Sequence, residues 1–208
     1  MILIGRKLAY NYRESGLRGV LRGATRVVSR VFWSECRWFV YKHDLQQGLP
    51  RGSVRLLRRE LAFQDLVRVG YFKAKAFPEG INNELRRGSV CHGFFDGEQL
   101  VTIGWTSREY LELDVDVRIT CPAEIGLFDF LTFEDFRSKG YYTSALSQLV
   151  MFAKEKGFER ACIAVDPGNA ASIKGIERAG FRRVMLVSRH VRFGIRRIVT
   201  ENYLASSD

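Results

Sequence analysis

No stretch of the 208-residue sequence is apolar for long enough to cross a membrane as a helix, so a helical membrane span is excluded. The opening residues, MILIGRKLAYNYRESG, lack the long apolar run and small-residue cleavage site of a signal peptide, which makes the cytoplasm the expected compartment. Cysteines are few and scattered: Cys36, Cys91, Cys121 and Cys162 contain no Cys-x-x-Cys pair, and His43, His92 and His190 do not join them at zinc-site spacing. A disulfide framework and a structural metal are therefore not expected, and Cys162, within an apolar run, reads as a small core residue. Internal repeats and low-complexity tracts are also missing. Two phosphate-binding signatures are absent as well. No Gly-Lys-Ser/Thr follows a glycine at P-loop spacing, and there is no Gly-x-Gly-x-x-Gly.

What is present is a chain with a real core and an uneven charge. Hydrophobic residues make up 46% and aromatics 12%, which excludes a disordered chain. The formal net charge is +10, and up to Pro50 nine basic residues face only Glu14, Glu35 and Asp44. Within that segment Leu17, Val20, Leu21, Ala24, Val27, Val28, Val31 and Phe32 form an apolar stripe at helical spacing, and Arg18, Arg22, Arg26 and Arg30 form a second stripe. An arginine-lined amphipathic helix followed by Trp33, Trp38 and Phe39 suits an anionic membrane surface. The same stripe would equally suit a helix docked on the main domain with its arginines in water. Turn chemistry at Gln46–Gly52 sets a boundary near residue 50, dividing a helical extension, 1–50, from a main domain, 51–208.

Beyond that boundary a first strand is read at Ser53–Arg58, a helix at Glu60–Val69 and a helical patch at Pro78–Arg87. Val90–Phe95 and Gln99–Thr106 form a hairpin around Asp96-Gly97-Glu98. Tyr110–Cys121 alternates apolar and polar residues as a half-exposed strand would, and Glu124–Phe133 is a further strand. Tyr142–Lys156 is a helix stopped by Gly157, Ala161–Val165 a buried strand, and Ala170–Ala179 a helix stopped by Gly180. Phe181–Arg192 and Ile195–Tyr203 close as a hairpin. Between the strand and helix at 124–156 lies Arg137-Ser138-Lys139-Gly140, a basic turn opening onto a helix N-terminus, where unpaired N–H groups and the positive dipole end suit a phosphate.

That turn, read on to Tyr141-Tyr142, resembles the Arg/Gln-x-x-Gly-x-Gly/Ala pyrophosphate turn of the GNAT superfamily of N-acetyltransferases. Asn169-Ala170-Ala171-Ser172 and Arg178-Ala179-Gly180-Phe181 resemble the beginning and end of the family's next helix. The resemblance covers Ser53 to about Tyr203. It implies an α/β (α+β) fold with a mixed, mostly antiparallel sheet flanked by helices, here carrying an extra amphipathic N-terminal segment. It further implies an acyltransferase, moving an acyl group, with acetyl foremost, from a CoA thioester to a primary amine of a small or envelope-related molecule. Leu131 and Thr132 would bond the pantetheine amides through their backbones. The N–H groups of Ser138, Lys139, Gly140, Tyr141, Tyr142 and Thr143 would hold the pyrophosphate, Arg137 and Lys139 would add charge, and Asn169 with Ser172 would line the pantetheine side.

Two departures stand out. Tyr142 occupies a position where the family prefers glycine or alanine, so its ring must turn away from the phosphates. Many members carry an acidic tyrosine four residues before the helix-ending glycine, and this chain has Ile176, which leaves the acid role vacant or filled by another group such as Ser172, Tyr141 or water. For a general base the carboxylates of the 124–133 strand are the candidates. Asp129 comes first because a charge among Phe128, Phe130 and Leu131 is costly unless it has a role, and Glu124 comes second. No metal is expected in the reaction. The alternative function is a non-catalytic module of this fold that binds an anionic membrane, or less readily a nucleic acid, through its N-terminal arginines.

Overall fold

The structure, a computed structural model, describes residues 33–46, 48, 54–68, 84–114, 117–193 and 195–202. The amphipathic stripe at 15–32 with its four arginines, and residues 78–83 of the expected helical patch, lie outside the described residues. Described contacts divide into a larger unit, Trp38–Met185, and a smaller one made of 33–37 with Leu186–Asn202.

The elements are β1 (Trp33–Asp44), β2 (Leu57–Leu61), α1 (Phe63–Arg68), β3 (Val90–Asp96), β4 (Gln99–Asp114), β5 (Val117–Thr132), a 3-10 turn at Glu134–Phe136, α2 (Tyr141–Glu155), β6 (Arg160–Val165), α3 (Ala170–Arg178), β7 (Arg182–Arg192) and β8 (Ile195–Asn202). In the larger unit the strand order is β2-β3-β4-β5-β6-β1-β7. β2 to β5 form an antiparallel meander, whereas β5 and β6, joined through α2, run parallel. The expected mixed, mostly antiparallel sheet is therefore the observed one. In the smaller unit the outer half of β7 is followed by β8, whose side chains are almost all exposed.

Strand β1 departs from the sequence reading. It falls within residues 1–50, assigned above to a helical extension, and its inner half pairs antiparallel with β6 from Phe39↔Val165 to Asp44↔Arg160. The physical reason is local. Trp38-Phe39-Val40-Tyr41 is an aromatic and β-branched run that favours a pleated surface over a helix. Two other boundaries moved. The expected strand Tyr110–Cys121 is the end of β4 and the start of β5, folded back with Asp114 beside Val117. The expected strand Ser53–Arg58 begins later, at Leu57. The hairpin at Gly97-Glu98 has the expected form, with Asp96 paired to Gln99 and Gly97 at φ 59°.

Helix α2 packs Ala145, Leu146, Leu149, Val150 and Ala153 into the main core, with Ile125, Leu127 and Ile163 of the sheet in the same cluster. Those positions recur at three- and four-residue spacing, and truncating one leucine to alanine costs about 2–5 kcal/mol in such a site. Gly157, at φ 80°, ends the helix, and the Phe158 N–H closes the last turn on the Ala153 carbonyl. Helix α3 ends the same way: Gly180 sits at φ 83° and the Phe181 N–H bonds the Ile176 carbonyl.

The feature that shapes the sheet is a bulge in β5. Trp105 pairs with Phe128 and Ile103 with Leu131, so Asp129 and Phe130 together face the single residue Gly104. Asp129 takes the left-handed conformation, φ 51°, that such an inserted residue needs. The Phe130 ring then lies over Gly104, where an added Cβ would collide with Phe130 Cε1. Gly104→Ala is expected to cost about 1–3 kcal/mol by overpacking, read as a drop in melting temperature. In a Phe130→Ala background the same substitution should cost much less. Equal penalties in both backgrounds would mean that the ring is not what Gly104 accommodates.

Candidate functional site

Strands β5 and β6 pair from Glu124↔Arg160 to Leu127↔Ile163 and then part. Beyond that point β5 stays with β4 through Leu131 and Thr132, and β6 stays with β1 through Ala164 and Val165. The bulge at Asp129 lies just where the strands separate, since the kink carries the rest of β5 away from its parallel neighbour. A cleft with open backbone edges is the result. Leu131 and Thr132 line its β5 side, each bonded on the far side to β4, and the Thr132 hydroxyl meets that of Thr102 at 3.1 Å.

The basic turn closes one end of this cleft. A 3-10 turn, Glu134–Phe136, leads into Arg137, whose Nε donates to the Thr132 carbonyl at 3.3 Å and whose guanidinium also lies 3.7 Å from Glu134. Ser138 (φ 62°) and Gly140 (φ 82°) are both left-handed. Alternating hands along a short segment turn successive N–H groups towards one point, an arrangement that binds anions. Gly140 caps α2 without any side-chain hydrogen bond, so the first-turn N–H groups of Tyr141, Tyr142 and Thr143 meet no capping side chain. Lys139 is exposed and holds its ammonium 5.6 Å from the Phe136 ring centre.

The two tyrosines of the turn go in different directions. The Tyr141 hydroxyl donates to Asp96 at 2.5 Å, and that carboxylate, together with burial, raises the phenol pKa. Tyr142 crosses to α3. Its ring stands edge-on to Phe130 at 5.3 Å, it fills the space beside Gly175, and its hydroxyl shares a hydrogen bond with Ser172. Burial pushes its pKa well above the ordinary phenol range, so the proton stays on oxygen. At Gly175 an added Cβ would stand 2.5 Å from the Tyr142 ring, so the glycine in α3 and the tyrosine in α2 are a matched pair. Ile176 is fully buried in the core. Asn169 caps α3 by accepting from the Ser172 N–H at 3.1 Å, which uses its Oδ1 and leaves its amide N–H donors.

The two candidate bases sit apart. Asp129 is exposed on the bulge, not buried among aromatics as the sequence suggested, because the inserted residue turns its side chain outwards. Glu124 lies at the closed end, where β5 and β6 begin to pair, and is 2% exposed. Lys42 Nζ (2.8 Å) and Arg160 Nε (2.6 Å) both donate to its Oε1. Burial alone would raise the Glu124 pKa, but the two cationic donors outweigh it and hold the carboxyl below the ordinary value of 4.5. A carboxylate held ionised in this way is a poor proton acceptor.

Against known proteins, residues 62–182 match the family model described as an acetyltransferase (GNAT) domain, which is more than half of the chain. The chain belongs to the GNAT acetyltransferase family. Solved structures agree on the GNAT fold. A GCN5-related N-acetyltransferase from Sphaerobacter thermophilus is 13% identical with a TM-score of 0.54, over 84% of this chain and 58% of that one. A GNAT-family acetyltransferase from Colwellia psychrerythraea is 15% identical with a TM-score of 0.51, over 87% and 61%. A Bacillus subtilis acetyltransferase solved in complex with CoA is 15% identical with a TM-score of 0.50, over 63% and 80%. The chain thus spans about three fifths of the length of the first two. No curated protein sequence matches it.

The turn, Asn169 and both carboxylates were legible as candidates in the sequence. The Tyr142–Gly175 pair, the Phe130–Gly104 pair and the cations on Glu124 were not, since each joins residues far apart in the chain. A glycine inside α3 at position 175 was the one visible hint, because interior helical glycine costs roughly 1 kcal/mol and asks for a reason. The Glu124 ion pairs predict a pH signature. The folded-state pKa lies below the unfolded one, so this stabilisation is fully present above about pH 4.5 and lost as pH falls through the lower folded value. Urea titrations from pH 7 to pH 3 should show wild type losing stability below about 4.5. Glu124→Gln, weaker at pH 7 by about 1–3 kcal/mol, should lose less over the same range. Parallel curves would show that Glu124 does not carry the effect.

Proposed function

We propose that the chain is an acyl-CoA-dependent N-acyltransferase, with acetyl-CoA as the foremost donor and a primary amine of a small or envelope-related molecule as the acceptor. The observation that carries this reading is the cleft where β5 and β6 part, closed at one end by a turn whose left-handed Ser138 and Gly140 gather N–H groups at the start of α2. A thioester-bearing arm needs an extended slot with backbone partners, and its pyrophosphate needs a cluster of donors at one end. The CoA complex of the structurally similar Bacillus subtilis acetyltransferase supports the same donor.

In this reading the N–H groups from Ser138 to Thr143 receive the pyrophosphate. Arg137 and Lys139 add charge worth about 0.3–1 kcal/mol each at an exposed helix end. The backbones of Leu131 and Thr132 bond the pantetheine amides on the edge of β5 that faces β6. The Asn169 amide N–H group and Ser172 face the same arm from α3. At the bulge the acceptor amine, deprotonated by Asp129, attacks the thioester carbonyl. A backbone N–H of the opened strand stabilises the oxyanion, the C–S bond breaks, and the thiolate leaves and takes up a proton. Holding the amine and the thioester together supplies much of the rate, so a weak acid suffices at the sulfur. Glu124, ionised and engaged by Lys42 and Arg160 at the closed end, is the lesser candidate for the base.

Two outcomes are expected. Acetyl-CoA at one hundred times its Kd should stabilise the protein by about 2.7 kcal/mol, seen as a raised melting temperature. Arg137→Glu should weaken that binding by about tenfold or more, since each tenfold step is about 1.4 kcal/mol and charge reversal both removes an attraction and adds a repulsion. No shift with acetyl-, propionyl- or longer acyl-CoA would overturn the donor assignment. With an accepted amine in hand, Asp129→Asn should lower kcat by about 10²–10⁴-fold while leaving the donor KM nearly unchanged. An unchanged kcat would remove Asp129 from the reaction.

A further inference from the structure

A second cluster of reactive side chains lies at the closed end of the β5–β6 pair, away from the bulge at Asp129. Cys121 and Glu124 on β5 and Cys162 on β6 are all buried, and one potential ligand atom from each lies within 4.8 Å of the other two. Metal–sulfur bonds of about 2.3 Å and metal–oxygen bonds of about 2.0–2.2 Å place the ligand atoms of a tetrahedral ion roughly 3.5–3.8 Å apart. Small rotations of the side chains would close the cluster around such an ion.

The carboxylate supplies the deciding observation. Both cations, Lys42 and Arg160, bond the same oxygen, Oε1. Oε2 is buried and finds no hydrogen-bond partner among the described residues. Buried carboxylate oxygens are nearly always satisfied, because an unmet one costs its full desolvation. This division of labour is that of a metal site, in which outer donors fix one oxygen of a ligating carboxylate and leave the other for the ion.

Towards backbone the thiols make only long contacts, Cys121 Sγ 3.6 Å from the Ile119 carbonyl and Cys162 Sγ 3.5 Å from the Ile125 carbonyl, while Cys121 interacts directly with Cys162 and with the Glu124 carboxylate.

We propose that Cys121, Glu124 and Cys162 form a binding site for a soft divalent cation of the Zn2+ class, with Lys42 and Arg160 holding the carboxylate from outside. Two thiolates and one carboxylate are a donor set that zinc accepts and that magnesium or calcium does not. Binding forms two metal–sulfur bonds and one metal–oxygen bond and releases the two thiol protons to solvent. The ion would join the start of β5 to β6, at the end of their pairing away from where the strands part. Neither cysteine spacing nor sequence proximity announces this site, because Ala123, left-handed at φ 60°, bends β5 between Cys121 and Glu124.

The test uses the full chain, reduced with a phosphine, stripped with chelator and titrated with Cd2+, whose bonds to thiolate absorb in the ultraviolet. One equivalent per chain is expected to bind with that absorption, protecting Cys121 and Cys162, but not Cys36 and Cys91, from alkylation mapped by mass spectrometry. Cys121→Ser and Cys162→Ser, nearly isosteric, should lose the absorption. Glu124→Gln should bind about tenfold or more weakly, whereas the Cys36→Ser/Cys91→Ser double variant should bind as wild type does. Each variant is first checked for cooperative melting without metal, and for any that fails the wild-type protection map decides. No saturable binding, absorption that survives both Cys121→Ser and Cys162→Ser, or protection of the other two thiols would overturn the proposal.

Discussion

Everything at the candidate site depends on one inserted residue. Asp129 adds a position to β5 that β4 does not match, and the strand absorbs it by going left-handed and bending. Without that bend, β5 and β6 would go on pairing past Leu127 and Ile163 and leave no open edges for a ligand. The bend is in turn held by packing. Phe130 is directed over Gly104 and against Tyr142, so any shift that restored the regular register would drive its ring into backbone or into α2. The cleft is thus a packing solution as much as a hydrogen-bonding one, and the backbone donors exposed there follow from where the strand was forced to leave its neighbour.

The parts of the fold that were legible in the sequence are those whose cause is local. α2 and α3 carry apolar residues at helical spacing and end in glycines whose left-handed geometry only a missing Cβ makes easy. The hairpin at Gly97 has its turn chemistry on the page. What was not legible depends on partners elsewhere. YLELDVDVRITC keeps a two-residue period through the point where β4 turns back into β5, with no glycine, proline or asparagine to mark the turn. β1 looked like the tail of an amphipathic helix until β6 supplied the neighbour that Val40, Tyr41 and Lys42 pair with. The bulge itself leaves no signature, since aspartate among apolar residues can be read as buried and functional or as turned outwards, and only register decides.

The two carboxylates of β5 show how position along one strand sorts chemistry. At the closed end Glu124 has lost almost all contact with water, and two cations are needed to keep it charged, at the cost of its basicity. At the open end Asp129 keeps its exposure. Asp129 was expected to be the costly charge of the pair, but Glu124 is the one that burial penalises, and Lys42 and Arg160 are the response. Electrostatic compensation is therefore confined to the end where the strands meet, whereas left-handed backbone occurs both at the bulge and at Ala123 beside Glu124.

The Tyr142–Gly175 pair shows how α2 and α3 are fitted to each other. A side chain has in effect moved from one helix to the other. α3 offers glycine at 175 and a buried isoleucine at 176, whereas α2 sends a tyrosine across to the Ser172 hydroxyl. Burial keeps that phenol protonated, and its ring rests on Phe130, the residue that follows the bulge. Tyr141, the other phenol of the turn, is committed to Asp96 and faces β3. Of the two, only Tyr142 has its hydroxyl on the α3 side of the cleft, beside the residues expected to meet the pantetheine arm. The residue that departs from the family's small one thus joins α2 to α3, with its ring beside Gly175 and its hydroxyl at Ser172.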